Sequence, residues 1–484
     1  ECIILDIFRE RTKMPWPVLA FLDFVVIVGF DDILYPLQNQ GLSVVFNWVL
    51  IILLFALPYE MVVAQLGSTF DSEQDGGLAS WMRRSTHSDF LGYCTAWIFW
   101  ASCMPYIVDV ANSAVVSISW MILGNDSLNS LMSNTMFGLL TFAIIFVFIL
   151  GQNLIKNSLE IISAIAALSM FLMTMLFVGM TGWAVLHGAK IATHPFNLKA
   201  FIPTFDAKYW SSTGLLMFAA AGAEVAVPYI SKLRNPNREL PKAMILLAIL
   251  TSCLTVLGTL ALAMFFNANH LPHDLKMNGS YYAFQLLGQR MGWGKSLMYI
   301  FAVVQALYMF AQLAVFLDAV SWVLAGDTDE KYMPKWMLKR DKNGRPIHSY
   351  YLTAGVCLFL LLMSGTLPDI NSVFNWLLNL NGIVNPFKNC FIFIAFIMVR
   401  LHQEEFNSGF VFVKNRTRAL IVGWFCLLLS FTCAMMAFLP QEVSFGTHAW
   451  NSQLLMNIFT VIVLFGLGLI FPLLAKLERR HQTE

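Results

Sequence analysis

The fold class expected from the sequence is an all-α polytopic membrane protein of about twelve transmembrane helices, arranged as a 5+5 inverted repeat with broken helices 1 and 6. Three observations predict it. The 484 residues are 58% hydrophobic and 12% charged, less than half the charged share of an ordinary soluble domain. Apolar runs of about 20 residues, the length that crosses a hydrocarbon core as a helix, recur along the whole chain. Two of these runs are interrupted by glycine beside an acid, five spans apart. A soluble fold would have to hide 41 Phe, 25 Met and 14 Trp in one core.

In order, the apolar runs place spans at 16–38, 43–67, 90–122, 134–152, 159–187, 211–232, 242–266, 295–325, 351–366, 371–400, 419–439 and 452–474. With the N-terminus inside, 23 of the 30 Lys and Arg fall on cytoplasmic segments. Six (Lys190, Lys199, Lys208, Lys276, Arg290, Lys295) fall on outer loops, and Lys388 is left within a span. That bias predicts cytoplasmic N- and C-termini and a multi-pass protein of the cell membrane; an odd number of spans would scramble it. The expected divisions are a cytoplasmic tail 1–15, a first five-helix repeat 16–187, an extracellular loop 188–210, a second, inverted repeat 211–400, two additional helices 401–474, and a cytoplasmic tail 475–484.

The eight Cys lie mostly in apolar runs at no paired spacing, so free thiols are expected. Sequons at Asn125 and Asn278 fall on the outer side, and Trp120, Trp183 and Trp210 lie near span ends like an interfacial belt. There is no phosphate-cradling glycine loop, HExxH or Cys/His ligand spacing. No catalytic group, cofactor, metal or nucleic-acid partner is therefore expected. The expected partners are a small-molecule substrate, the lipid bilayer, and protons as the coupling ion.

The first break, Gly29–Pro36, puts Asp31 and Asp32 inside a membrane-crossing run. An ionised group there costs at least about 2.5–3.5 kcal/mol, so protein, water or a cation must surround the pair. The second break is Ala219–Glu224. Unwinding frees backbone N–H and C=O groups that a ligand, ion or water has to satisfy, and paired breaks of this kind point to an inverted-repeat transporter with its site at the midplane.

The stretch Phe218-Ala-Ala-Ala-Gly-Ala-Glu224, running on to Asn235-Pro-Asn-Arg-Glu-Leu-Pro-Lys-Ala243, resembles the sixth span and following loop of the amino acid–polyamine–organocation permeases. Ala64-Gln-Leu-Gly67 with Gly76-Gly77, and Met333-Pro…Asn343-Gly-Arg-Pro346, are similar to two further signatures of that family. The resemblance covers about residues 15–474 and implies alternating access between five-plus-five inverted repeats. Three departures bear on substrate: Phe30-Asp31-Asp32 replaces the family's usual Gly-Ser-Gly, Gln65 stands where Glu is usual, and Lys232 stands where the family often has Glu before its Asn-Pro. Leu317–Gly326 resembles the eighth span of glutamate–γ-aminobutyrate antiporters, whereas the acidic pair resembles that of polyamine permeases, so two substrate classes remain open.

The candidate substrate-binding residues are Gly29, Phe30, Asp31, Asp32, Phe218, Gly222 and Glu224. For Asp31 and Asp32, the alternatives are one binding an amine while the other carries a proton, or both capping the second half-helix. Glu224 reads either as a proton or substrate group or as a packing acid. Lys388 lies about 18 Å along its helix from Arg400, too deep to reach water easily. It is expected to pair with Asp109 or Asp318, or to take part in coupling, and these two acids are themselves coupling or gating candidates. Glu60 and Glu160 are placed near span ends as ordinary, partly hydrated acids. The function expected is an amino acid permease, moving an amino acid or its amine product by proton symport or substrate exchange. A polyamine carrier and a transport-fold nutrient sensor are the alternatives.

Overall fold

Ten helices among the described residues are long and apolar enough to cross a membrane. Two further crossings are made by shorter pieces, as the sequence predicts for helices 1 and 6. The structure, a computed structural model, describes residues 13–70, 77–155, 159–326, 328, 331–342, 344, 346–440 and 443–483. Arg9, Arg11, Gly76, Lys156, Asn343 and Arg345, all used in the sequence argument, lie outside the described residues.

The first crossing is α1 (Trp16–Ile27) and α2 (Leu34–Gln40), joined through Val28–Phe30 and a short 3-10 turn, Asp31–Ile33. Then come α3 (Ser43–Phe70), α4 (Asp89–Leu123), α5 (Asn134–Ile155) and α6 (Leu159–Leu186). The sixth crossing is α7 (Ala207–Ala219) followed by a 3-10 segment, Ala223–Lys232. The chain continues through α8 (Pro236–Phe265), α9 (Leu275–Arg290), α10 (Ser296–Gly326), α11 (Ile347–Ser364), α12 (Ile370–Leu401), α13 (Arg416–Ala437) and α14 (His448–Arg480). Several helices start where a side chain can accept an orphan N–H. Asp206 takes that of Tyr209 at 2.8 Å, and Asp369 takes that of Ser372 at 2.7 Å.

Packing sorts the helices into two groups. The first crossing packs on α8 and on the 3-10 segment, and α3 packs on both as well; α4, α5, α10 and α11 form a second mutually packed set. The second and seventh crossings, α3 and α8, each contain one π-helical turn, Ile52–Ala56 and Cys253–Leu257. Irregular backbone thus falls on the first two members of each group of five crossings. Depth in the bundle differs between helices: α4 and α12 bury 78% of their apolar stretches against protein, α5 only 22%.

The largest departure from the sequence reading is at 267–294, expected to be an outer loop. Within it, α9 is a docked helix. Trp120 stacks on Tyr281 at 5.0 Å and donates to the Asn278 side chain at 2.8 Å, while Tyr281 and Ser117 hydroxyls meet at 2.8 Å. Asn278 and Trp120 are therefore buried, one unsuited to glycosylation and the other no part of a lipid-facing belt. Lys276, counted as an outer-loop cation, is buried too. Cys94, Cys103, Cys253, Cys357, Cys390, Cys426 and Cys433 are free.

Candidate substrate site at the two helix breaks

The first helix ends because Val28 turns extended (φ −148°, ψ 133°) ahead of Gly29. Its freed carbonyls are not left bare: the Tyr308 hydroxyl of α10 lies 2.9 Å from the Phe24 oxygen and 2.8 Å from the Val28 oxygen. Asp32 accepts the Gly29 N–H at 2.8 Å, closing the turn from the other side. In the sixth crossing Gly222 has φ +153°, a conformation that side-chain-bearing residues rarely adopt. A Cβ on Gly222 would sit 2.8 Å from Ile27 Cγ1 and 3.6 Å from the Val26 carbonyl oxygen. The two breaks therefore face each other in contact. Gly222→Val is expected to lose transport and to cost about 1–3 kcal/mol from backbone strain, more with the clash. Thermal unfolding in detergent checks this.

Two carboxylate clusters flank the break of the first helix, each built around one lysine. Beyond the break, Lys276 Nζ is 3.0 Å from Asp31 Oδ2, 2.9 Å from Asp32 Oδ1 and 3.8 Å from Asp109 Oδ2. All four side chains are buried, and Asp31 Oδ1 and Asp109 Oδ1 have no hydrogen-bond partner. Burial alone would lower the Lys276 pKa, but Asp31, Asp32 and Asp109 more than reverse this and hold it above the usual lysine value. Before the break, Glu224 pairs with Lys388 and accepts the Tyr59 hydroxyl. Asp23 on α1 and Glu60, the neighbour of Tyr59 on α3, are also fully buried, with all four carboxylate oxygens lacking partners.

Several expectations change on this geometry. Lys388 pairs with Glu224 rather than Asp109 or Asp318, because α12 brings it to the 3-10 segment; it also lies 5.7 Å from the Phe99 ring centroid. Asp109 belongs to Lys276. Asp318 is held by Tyr229 at 3.3 Å, Trp322 at 3.2 Å and Tyr350 at 3.2 Å, apart from both lysines. Glu60 is no partly hydrated end-of-span acid. Phe30 packs among Phe177, Phe284 and Phe301, with ring centroids 5.2–5.8 Å away. Phe218 meets Tyr106 edge-on at 4.7 Å, and Tyr106 accepts from Gln312 at 2.6 Å, so these two stand beside the breaks.

The sequence reading passed over Asp23, Tyr106, Tyr308 and a run of buried asparagines on α12. Of these, Asn381 and Asn389 leave both amide atoms unpartnered. Asparagines at 381, 385 and 389 share one helix face, a spacing visible in the sequence. Asp23 lay in plain view as an acid within the first apolar run.

Opposed unwound helices that converge on buried charge, in a multi-pass helical bundle, define a membrane transporter rather than an enzyme. A family model described as amino acid permease matches residues 19–466, and the chain belongs to the amino acid permease family. It is 35% identical to the aspartate/glutamate permease AcaP of Lactococcus lactis subsp. cremoris (strain MG1363), over 98% of each chain. It is 23% identical to the probable agmatine/putrescine antiporter AguD of L. lactis subsp. lactis (strain IL1403), over 80% of this chain and 79% of that one. It is 22% identical to a glutamate/gamma-aminobutyrate antiporter of the same strain, over 89% and 85%.

Proposed function

We propose that this amino acid permease carries an acidic amino acid across the cell membrane, with both termini in the cytoplasm, by proton symport or substrate exchange. The observation that carries the reading is Lys276, buried at the first helix break in contact with Asp31 and Asp32. An acidic amino acid brings one ammonium and two carboxylates. Its ammonium replaces Lys276 on the aspartates, and its side-chain carboxylate takes the released lysine. The buried ion pairs then exchange partners instead of being broken, which avoids leaving a charge uncompensated in low dielectric. The remaining α-carboxylate suits the backbone N–H groups at Gly222 and the start of the 3-10 segment. Resemblance to the aspartate/glutamate permease supports the same substrate class. In this reading 16–187 and 211–400 are the two repeats that rock about the site.

A cationic amine is the second reading, favoured by the excess of carboxylate over lysine and the unpartnered oxygens of Asp31 and Asp109. Uptake of labelled aspartate, glutamate, γ-aminobutyrate and putrescine into proteoliposomes, with and without a pH gradient, separates the two. The expected result is aspartate or glutamate uptake that unlabelled putrescine does not compete away. Putrescine accumulation without aspartate uptake would overturn the acidic-substrate reading. Rates independent of both the gradient and internal substrate would end the coupling.

A further inference from the structure

Among the buried carboxyl groups of the described residues, Asp23 and Glu60 are two that the substrate site does not use. Asp23 lies four residues before the end of α1, and Glu60 lies one position after Tyr59 on α3. Both are completely enclosed, and none of their four oxygens has a hydrogen-bond partner. Tyr59, next to Glu60 on α3, donates to Glu224, and the 3-10 segment that carries Glu224 packs against both α1 and α3. Glu224 is itself ion-paired with Lys388 through Oε1 and accepts the Tyr59 hydroxyl at Oε2.

Charge balance then decides what the pair holds. Were all three acids ionised, one ammonium would face three carboxylates in the protein interior. An uncompensated buried ion costs several kcal/mol, so this arrangement needs added positive charge. Among the described residues no group of acids, histidines and cysteines is arranged to hold a metal ion. The smallest positive charge that fits is a proton, and like carboxylates brought close share protons as a unit.

We propose that Asp23 and Glu60 form a proton-binding site beneath the two helix breaks, bordered by the Glu224–Lys388 ion pair and separate from the carboxylates around Lys276. Only O–H bonds form and break: the proton comes from water on one side and returns to water on the other. With the proton bound, α1 lies neutral against the 3-10 segment. Once it leaves, the interior gains a negative charge that only water or rearrangement relieves, so deprotonation favours hydrating this half and swinging α1 about Val28–Gly29. Glu224 is two residues beyond Gly222, which places the proton site and the second break on one short segment.

Other charged groups on the elements packed against α1 are already engaged or solvated. Glu160 of α6 is paired with Lys232 of the 3-10 segment. On α10, Asp318 is held by three donors, one of them Tyr229 of the 3-10 segment, and Tyr308 lies on the helix-1 carbonyls. On α8, Glu239 accepts the Arg234 and Asn235 N–H groups, and Arg238 and Lys242 are exposed.

Two measurements on the full-length protein test the site. The first is infrared pH-difference spectroscopy of reconstituted protein, reading the carbonyl stretch of protonated carboxylic acids, which needs no substrate. A protonated-carboxyl band present near neutral pH is expected to weaken in Asp23→Asn and in Glu60→Gln and to vanish in the double variant. An unchanged band in the double variant would overturn the proposal. The second compares labelled-aspartate counterflow with accumulation driven by a pH gradient. The double variant is expected to lose about tenfold or more of gradient-driven accumulation while counterflow continues and stops responding to pH. Gradient-driven accumulation that survives in the double variant would refute the site, as would counterflow falling in step with it. Asp23→Glu, which keeps the acid, is expected to keep the band and the pH response. Should the wild-type protein carry no aspartate, the substrate assignment fails and the infrared result still decides the proton site.

Discussion

Lys276→Met is expected to abolish aspartate and glutamate uptake and to lower stability by about 3–5 kcal/mol, the usual cost of removing one partner of a buried ion pair. The reason is the three-to-one arrangement: Asp31, Asp32 and Asp109 all lie within 4 Å of this one ammonium, and all are enclosed by protein. Lys276→Arg keeps the charge but not the compact geometry, so it is expected to fold nearly as well and to transport poorly. Adding Asp31→Asn and Asp32→Asn to Lys276→Met removes the uncompensated charge and is expected to recover much of the lost stability without restoring uptake. Thermal unfolding in detergent beside proteoliposome uptake checks the series. Normal aspartate uptake by Lys276→Met would refute the role given to this lysine.

The second large effect is expected at Lys388. Lys388→Met strands Glu224 beside Asp23 and Glu60 and is expected to cost a similar 3–5 kcal/mol, with loss of gradient-driven transport. Glu224→Gln strands the ammonium instead and is expected to be nearly as damaging. The paired replacement Lys388→Met with Glu224→Leu leaves a neutral, apolar contact of comparable volume. Such swaps are often neutral or stabilising, so the double variant is expected to be more stable than either single one and still inactive. Equal stability losses that simply add would show that the two side chains do not interact.

Much of the architecture was legible in one dimension. Hydropathy over windows of about 20 residues placed the spans within a few residues of the helices, because crossing a hydrocarbon layer is a local demand on length and composition. The breaks were legible for a related reason: glycine beside an acid inside an apolar run is expensive unless the backbone leaves the helix. What failed was pairing. Lys388 was matched to Asp109 and Asp318 by depth alone, whereas it meets Glu224. Lys276 was assigned to an outer loop because it falls between the apolar runs 242–266 and 295–325.

The sequence by itself determined that this chain is a multi-pass helical membrane protein of about twelve crossings with two interrupted helices carrying acids, since each of those properties follows from neighbouring residues and the solvent they must cross. Only the tertiary structure decided which charges neutralise which, because Lys276 reaches Asp31 across 245 positions and Lys388 reaches Glu224 across more than 160. Burial makes those choices decisive. In water a misassigned partner would matter little, but in a low-dielectric interior each carboxylate must find an ammonium, a donor or a proton.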